Sequence, residues 1–396
     1  MHLPISVGNR FRLFFALDFA GIGVFFPFLA LYLSSRGLSG SQVGLLLALF
    51  PFVGFLVQPV WGVVTDLYRV HRGVLVFACF GLAFVSVLFG RTTNFQSLLL
   101  LTLLLAILKS PIMPTSNALA LEYLEREARQ NAFGSLRLWG SLGFALSSFL
   151  IGTFLLDDAL WGIPYVYSLI AVAQGLLSLT IPHGEVHGKV HLREGLALLR
   201  RERSLPSFLL AILLISATVG IGNNYLSVYL DEIGAAGWIV GVTIGVSALL
   251  EAPFMAQVPA FLARWGVRLT LVAGVSLLPV RWLLYTVIDD PLLVLPTQLL
   301  HSLALTALII VGVLYVDRLL PPRWRASGQS LYAAVFMGLG PGLGLFVGGW
   351  LYEREGITAL WVASTVLALL GTLLLAASLR PPRTPEVAVE QPATPL

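Results

Sequence analysis

Charge is scarce in this chain. Of 396 residues only 11% are Asp, Glu, Lys or Arg, and 57% are hydrophobic, whereas a soluble domain carries about 25% charged residues. A water-facing surface cannot be covered from that supply, so the chain reads as an integral membrane protein. Cysteine is scarcer still: Cys79 stands alone, which excludes an internal disulfide and argues against a thiolate metal site. No Walker loop, H-E-x-x-H or Ser-His-Asp arrangement is present. The run "GLGPGLG" (338–344) has neither the spacing of a dinucleotide loop nor a strand before it. Nucleotide-driven chemistry, an enzyme activity and a bound cofactor are therefore not expected.

Long apolar runs are what the chain does have. A spanning helix needs roughly 20 apolar residues, and twelve such runs fit, at 11–33, 41–65, 73–90, 96–121, 132–156, 163–181, 207–230, 237–262, 269–288, 292–316, 328–352 and 358–379. No cleavable leader precedes the first. The one long polar stretch, "HGEVHGKVHLREGLALLRRERS" (183–204), divides six helices from six, and its "REGLALLRRER" portion is amphipathic enough to lie along a membrane surface. The expected organisation is an all-α membrane protein: a first half over 1–181, a linker over 182–206, a second half over 207–379 and a Pro-rich disordered tail over 380–396.

Basic residues orient it. Eighteen of the 24 Lys and Arg fall in the segments that share a side with the N-terminus, and only Arg36, Arg91 and Arg354 fall in the loops opposite. The positive-inside rule then places both termini in the cytoplasm. The net charge of +4 becomes a topological signature rather than a sign of nucleic-acid binding, and the chain is read as a monomer in the lipid of the cytoplasmic membrane.

Three basic residues remain, and all lie inside spans: Lys109, Arg137 and Arg281. A charge in the bilayer costs several kcal/mol unless it meets a partner, a ligand or water. Counting ~1.5 Å per residue, Glu251 lies roughly 20 Å along helix 8 and Arg281 roughly 18 Å along helix 9, with His301 also at mid-depth in helix 10. A Glu, an Arg and a His at one level can compensate one another around a wet cavity and carry a proton. Three other readings stay open: a snorkelling Arg281, a permanent Glu251–Arg281 pair, and a His301 that only packs. In the first half Asp18, Lys109 and Arg137 are one acid against two bases, suited to a substrate's acidic or hydrogen-bonding group, or else to helix-to-helix ion pairs. Asn117, Asn223, Asn224 and Tyr225 are further polar groups for a solute. Pro111 and Pro114 in "SPIMPTSN" break helix 4 and free carbonyls that need partners.

The stretch "QPVWGVVTDLYRVHRG" (58–73) places Gly62, Asp66, Arg69 and Arg72 between helices 2 and 3, and "PAFLARWGVR" (259–268) echoes it between helices 8 and 9. This resembles the loop 2–3 signature of the major facilitator superfamily, with Arg69 at the place of the second Gly and Ala263 at the place of the acid in the echo. An Asp at a helix end beside arginines can latch the cytoplasmic side; a solvated loop is the plainer alternative. "FFPFLALYL" (25–33), "FGSLRLWGSLGFAL" (133–146), "LVAGVSLLPVR" (271–281), "LLHSLAL" (299–305) and "GGWLYEREG" (348–356) look like the lactose permease branch of that superfamily. The resemblance implies that Arg137 corresponds to the sugar-binding arginine of helix 5, and that Arg281 and His301 belong to a proton-coupling group. It also implies departures: Ala304 stands where that branch has a Glu, and Asn223 and Asn224 stand near its helix 7 aspartates.

The expected function is secondary active transport of a small polar solute (sugar, nucleoside or organic acid) by proton symport with alternating access. A proton-driven exporter of amphipathic compounds in the same fold is the alternative. A non-transporting receptor is disfavoured, because no soluble domain is attached to relay a signal.

Overall fold

The computed structural model describes residues 6–127, 133–182, 204–321 and 324–379. The amphipathic segment expected near 193–203 and the tail over 380–396 lie outside the described residues. Nine stretches among the described residues are long and apolar enough to cross a membrane. Two of them are double, because glycines with positive φ break them: Gly266 (φ 69°) inside Gly237–Val275 and Gly356 (φ 79°) inside Gly340–Ser378. Phe133–Phe154 supplies the remaining crossing. The helices are α1 (Val7–Ser35), α2 (Gly40–Tyr68), α3 (His71–Arg91), α4 (Phe95–Arg126), α5 (Phe133–Phe154), α6 (Leu160–Ser178), α7 (Ser204–Glu232), α8 (237–265), α9 (267–284), α10 (Pro291–Leu319), α11 (325–355) and α12 (357–378). The twelve expected spans are all present.

The echo between the halves has a backbone counterpart. Arg69 ends α2 with φ 53°, the one non-glycine residue with positive φ among those described. Gly266 sits at the corresponding place after α8 with φ 69°. A left-handed conformation costs an L-residue about 1–2 kcal/mol. Arg69 therefore adopts the shape that the motif's glycine takes freely.

The break in α4 is resolved as the proline rule requires. Pro111 has no N–H for the carbonyl four residues earlier, Ile107. That carbonyl instead accepts from the indole Nε1 of Trp61 on α2 at 3.1 Å and from Ser110 Oγ at 2.9 Å. Trp61→Phe removes the indole donor and is expected to destabilise the fold by about 1 kcal/mol, read as a lower Tm in detergent; an unchanged Tm would mean that Ser110 alone suffices.

The two six-helix halves meet along three helix pairs, α1–α7, α2–α11 and α5–α8. Glycines make the approach close at the arginine-poor end of the bundle. A Cβ on Gly152 of α5 would stand 2.5 Å from the Gly237 carbonyl of α8, and one on Gly349 of α11 would stand 2.5 Å from the Gly40 carbonyl of α2. Ser227 Oγ of α7 donates to the Pro27 carbonyl of α1 at 2.6 Å, also toward that end. At the arginine-rich end, Gly62 on α2 has nothing within 4 Å of where a Cβ would be, and the first turns of α11, Arg325–Ala333, do not pack substantially on the first half. The bundle is closed at the arginine-poor end and parted at the other.

Candidate functional site

A cavity of about 340 Å³ lies at mid-depth between the halves. Phe19, Ile22, Phe26 and Pro27 of α1 and Ser141 and Phe144 of α5 form one wall. Asn223, Asn224 and Leu226 of α7, Ile244, Ser247, Ala248 and Glu251 of α8, Arg281 of α9 and Gln298, His301 and Leu305 of α10 form the other. The first wall is apolar except for Ser141, and the polar side chains, Asn223, Asn224, Ser247, Glu251, Arg281, Gln298 and His301, gather on the second. Such a polar face can hold water and a hydrogen-bonding solute against an apolar one.

Arg281 is the most constrained group here. It is 1% exposed, so it does not snorkel to an interface. Its Nε donates to Tyr285 Oη at 3.0 Å, Nη1 to His301 Nδ1 at 2.7 Å and Nη2 to Gln298 Oε1 at 3.1 Å. Its Cζ lies 4.7 Å from the Trp282 ring centre and 5.3 Å from that of Tyr285, within cation–π range. Gln298 Nε2 donates in turn to Tyr285 Oη at 3.2 Å. Trp282 stacks on Trp361 of α12 and donates to Thr218 Oγ1 of α7 at 3.1 Å. Because an arginine can only donate, His301 Nδ1 is an acceptor: the imidazole is neutral, with its hydrogen on Nε2.

Glu251 does not join this network. It makes no ion pair or hydrogen bond among the described residues, and the charged group whose field reaches it is Arg137 across the α5–α8 seam. The expected mutual compensation of Glu251, Arg281 and His301 thus holds for Arg281 and His301 and not for Glu251. The reason is azimuthal: depth along each helix places the three at one level, but Glu251 presents to the α5 side, while Arg281 is drawn to the i+4 tyrosine of its own helix and the Gln298–His301 face of α10.

The first-half charges fall differently from expectation. Asp18 is buried, 2% exposed, and its Oδ1 accepts from Lys109 Nζ at 2.6 Å and Gln174 Nε2 at 3.1 Å. Neither Asp18 nor Lys109 lines the cavity; they tie α1 to α4 and α6, the ion-pair alternative left open by the sequence. Asn117 is also off the cavity, half-buried, with Oδ1 unpartnered. Tyr225 points away from it as well, packed on Tyr352 with ring centres 5.6 Å apart. Arg137 is exposed one turn from Ser141, toward the arginine-rich mouth, with its guanidinium 5.8 Å from the Phe19 ring centre. In the loop signature, Arg72 donates to the Leu179 carbonyl at the end of α6, and the Asp66 side chain lies outside what is described.

Sequence reasoning missed Tyr285 and Gln298. Both carried a signal: Arg281 and Tyr285 are four apart, Gln298 and His301 three apart, so each pair shares a helix face.

The description "MFS_1 like family" matches residues 9–363 of the chain. The chain belongs to that family, within the major facilitator superfamily. It is 31% identical to the maltose permease of Geobacillus stearothermophilus over 369 residues, covering 92% of this chain and 93% of the relative. The nucleoside permease NupG of Escherichia coli is 21% identical, covering 81% of this chain and 82% of the relative. A crystal structure of nucleoside transporter NupG superposes with a TM-score of 0.83 at 19% identity, over 94% of this chain and 98% of that one. As a family member the chain is a multi-pass membrane transporter of a small solute and not an enzyme.

Proposed function

We propose that this chain takes up a small polar solute with protons, by alternating access to the central cavity. The observation that carries this reading is Glu251. Among the described residues it is the one acidic side chain on the cavity wall, beside Asn223, Asn224, Ser141, Ser247, Gln298, His301 and Arg281, and none of them forms an ion pair with it that would hold it permanently ionised. Asn223, Asn224 and the serines suit the hydroxyls of a sugar or nucleoside, and the named relatives favour those over organic acids. Arg137 guides solute at the mouth, and the Arg281–His301 pair senses it from α9 and α10. With both termini cytoplasmic, as the arginines indicate, the closed end faces outward and the bundle is inward-facing.

The test is uptake into vesicles across sugars, nucleosides and organic acids, read together with external pH. Solute-dependent alkalinisation outside is the expected result. Solute-driven movement of protons the other way would favour the exporter, the reading that the phenylalanines 19, 26 and 144 in the wall also suit, and no flux with any solute would sink both.

The signature between α2 and α3 is proposed as the cytoplasmic gate. Asp66→Asn is expected to change turnover several-fold while the solute's half-saturation concentration moves little. Normal turnover in that variant would reduce the segment to a topological loop.

A further inference from the structure

At the closed end, two helices begin with help from the opposite half. The residue before α8 is Ala236, whose methyl group caps nothing. The first N–H of α8, at Gly237, which has no acceptor within its own helix, is instead held by Asp157, just beyond α5 in the first half, with Oδ1 at 3.0 Å and Oδ2 at 3.2 Å. At α2 the pattern runs in reverse. Ser41 N–H, in the first turn of α2, donates to Glu353 Oε2 at 2.7 Å, and Ser39 Oγ donates to the same oxygen at 3.0 Å. Glu353 lies in the last turn of α11, in the second half.

These are equivalent places. α5 and α11 correspond in the repeat, as do α2 and α8, so each half lends a carboxylate to the N-terminus of a helix in the other. The glycine contacts lie beside each: Gly152 on Gly237 and Gly241, and Gly349 on Gly40 and Gly44. A carboxylate at a helix start satisfies an orphan N–H and meets the positive end of the helix dipole.

We propose that Asp157 and Glu353 form a reciprocal pair of clasps, helix caps donated across the halves, which set how readily the arginine-poor end opens. Parting that end strips each helix start of its acceptor. The two are unequal. α2 keeps its own capping box from Ser39 and Gln42, whereas α8 is left bare, so the Asp157 clasp resists opening more. Losing a cap shifts such an equilibrium by roughly fivefold, and losing both clasps shifts it by more than tenfold.

The proposal rests on the alternating-access reading, but its test needs neither solute nor a proton gradient, so a wrong cargo or coupling assignment leaves it intact. Spin labels at Thr93 and Asp289, exposed at that end in opposite halves, report the opening as a distance distribution on the full chain in lipid discs. Asp157→Ala with Glu353→Ala is expected to raise the ratio of long to short distances more than tenfold, and Asp157→Ala alone more than Glu353→Ala alone. Ala236→Ser guards against a folding artefact. It gives α8 a cap of its own, so it should hold or raise the Tm and still favour the long distances, because the open end is no longer bare. Distributions unchanged in both the double variant and Ala236→Ser would overturn the clasps, as would an Ala236→Ser variant that shifts toward short distances.

Discussion

Glu251→Gln is expected to abolish proton-driven accumulation while leaving solute exchange across the membrane. Exchange requires only that the loaded cavity change its exposure, whereas net uptake requires the proton to leave on the inside. A membrane potential supplies about 2.3 kcal/mol per charge per 100 mV, enough for roughly 50-fold accumulation, so the variant should fall from that ratio to about one. Glutamine keeps the size and hydrogen-bonding reach of the side chain and removes only its ionisation. Counterflow and accumulation, measured in the same vesicles, separate the two steps. Accumulation that survives the substitution would move coupling away from the cavity wall, with Asp18 in the first half the next candidate, or would make the protein a facilitator.

Arg281→Met is expected to cut transport at least 100-fold with a Tm change of only a few degrees. The arginine is buried without a carboxylate among the described residues, held by Tyr285, Gln298 and His301 and by two aromatic rings. Burying a charge is expensive, and with no carboxylate paired to Arg281 among the described residues its removal leaves no opposite charge stranded. Gln298 and Tyr285 still bond one another in its absence, so few groups are orphaned. The function lost is control of His301: with Nη1 on Nδ1 the imidazole cannot take a proton there, and without the arginine it can. Arg281→Lys should fail nearly as badly, since an ammonium cannot hold three acceptors in the plane of a fork. A parallel collapse of Tm and transport in Arg281→Met would make the residue structural.

The architecture was legible because its determinants are one-dimensional. Apolar length, turn residues and the side preference of arginine place twelve helices, and even the break at Pro111 is visible in the sequence. The depth of Glu251, Arg281 and His301 follows from counting at a fixed rise. What counting cannot supply is the direction each side chain takes around its helix. Asp18 and Lys109 have the right depth for the cavity, yet they turn toward one another and Gln174. Glu251 and Arg281 have the right depth for each other, yet they separate. Arg69 illustrates the converse: as a mismatch to the glycine of the signature it looked like a departure, but the backbone holds the glycine's shape regardless of the side chain.

Two wider turns lie in the second half. Residues Ala307–Gly312 of α10 and Ala334–Leu339 of α11 are π-helical, and Tyr332, in the α-helical turn just before the second, donates its Oη to the Leu308 carbonyl in the first at 2.7 Å. Each such turn accommodates one residue more than an α-helix would. A deletion within either would restore regular winding and leave the residues beyond it facing as before, because the wide turn absorbs its extra residue locally. In α11 that register keeps Gly340 and Gly344 on the Ser216 and Ala217 surface of α7 they fit against, whereas a deletion in a regular stretch of the same helix would rotate them off it by about 100°. In a scan of single-codon deletions the two segments should consequently be among the more tolerant places inside a helix, and a relative with regular helices here should align with a one-residue gap in each.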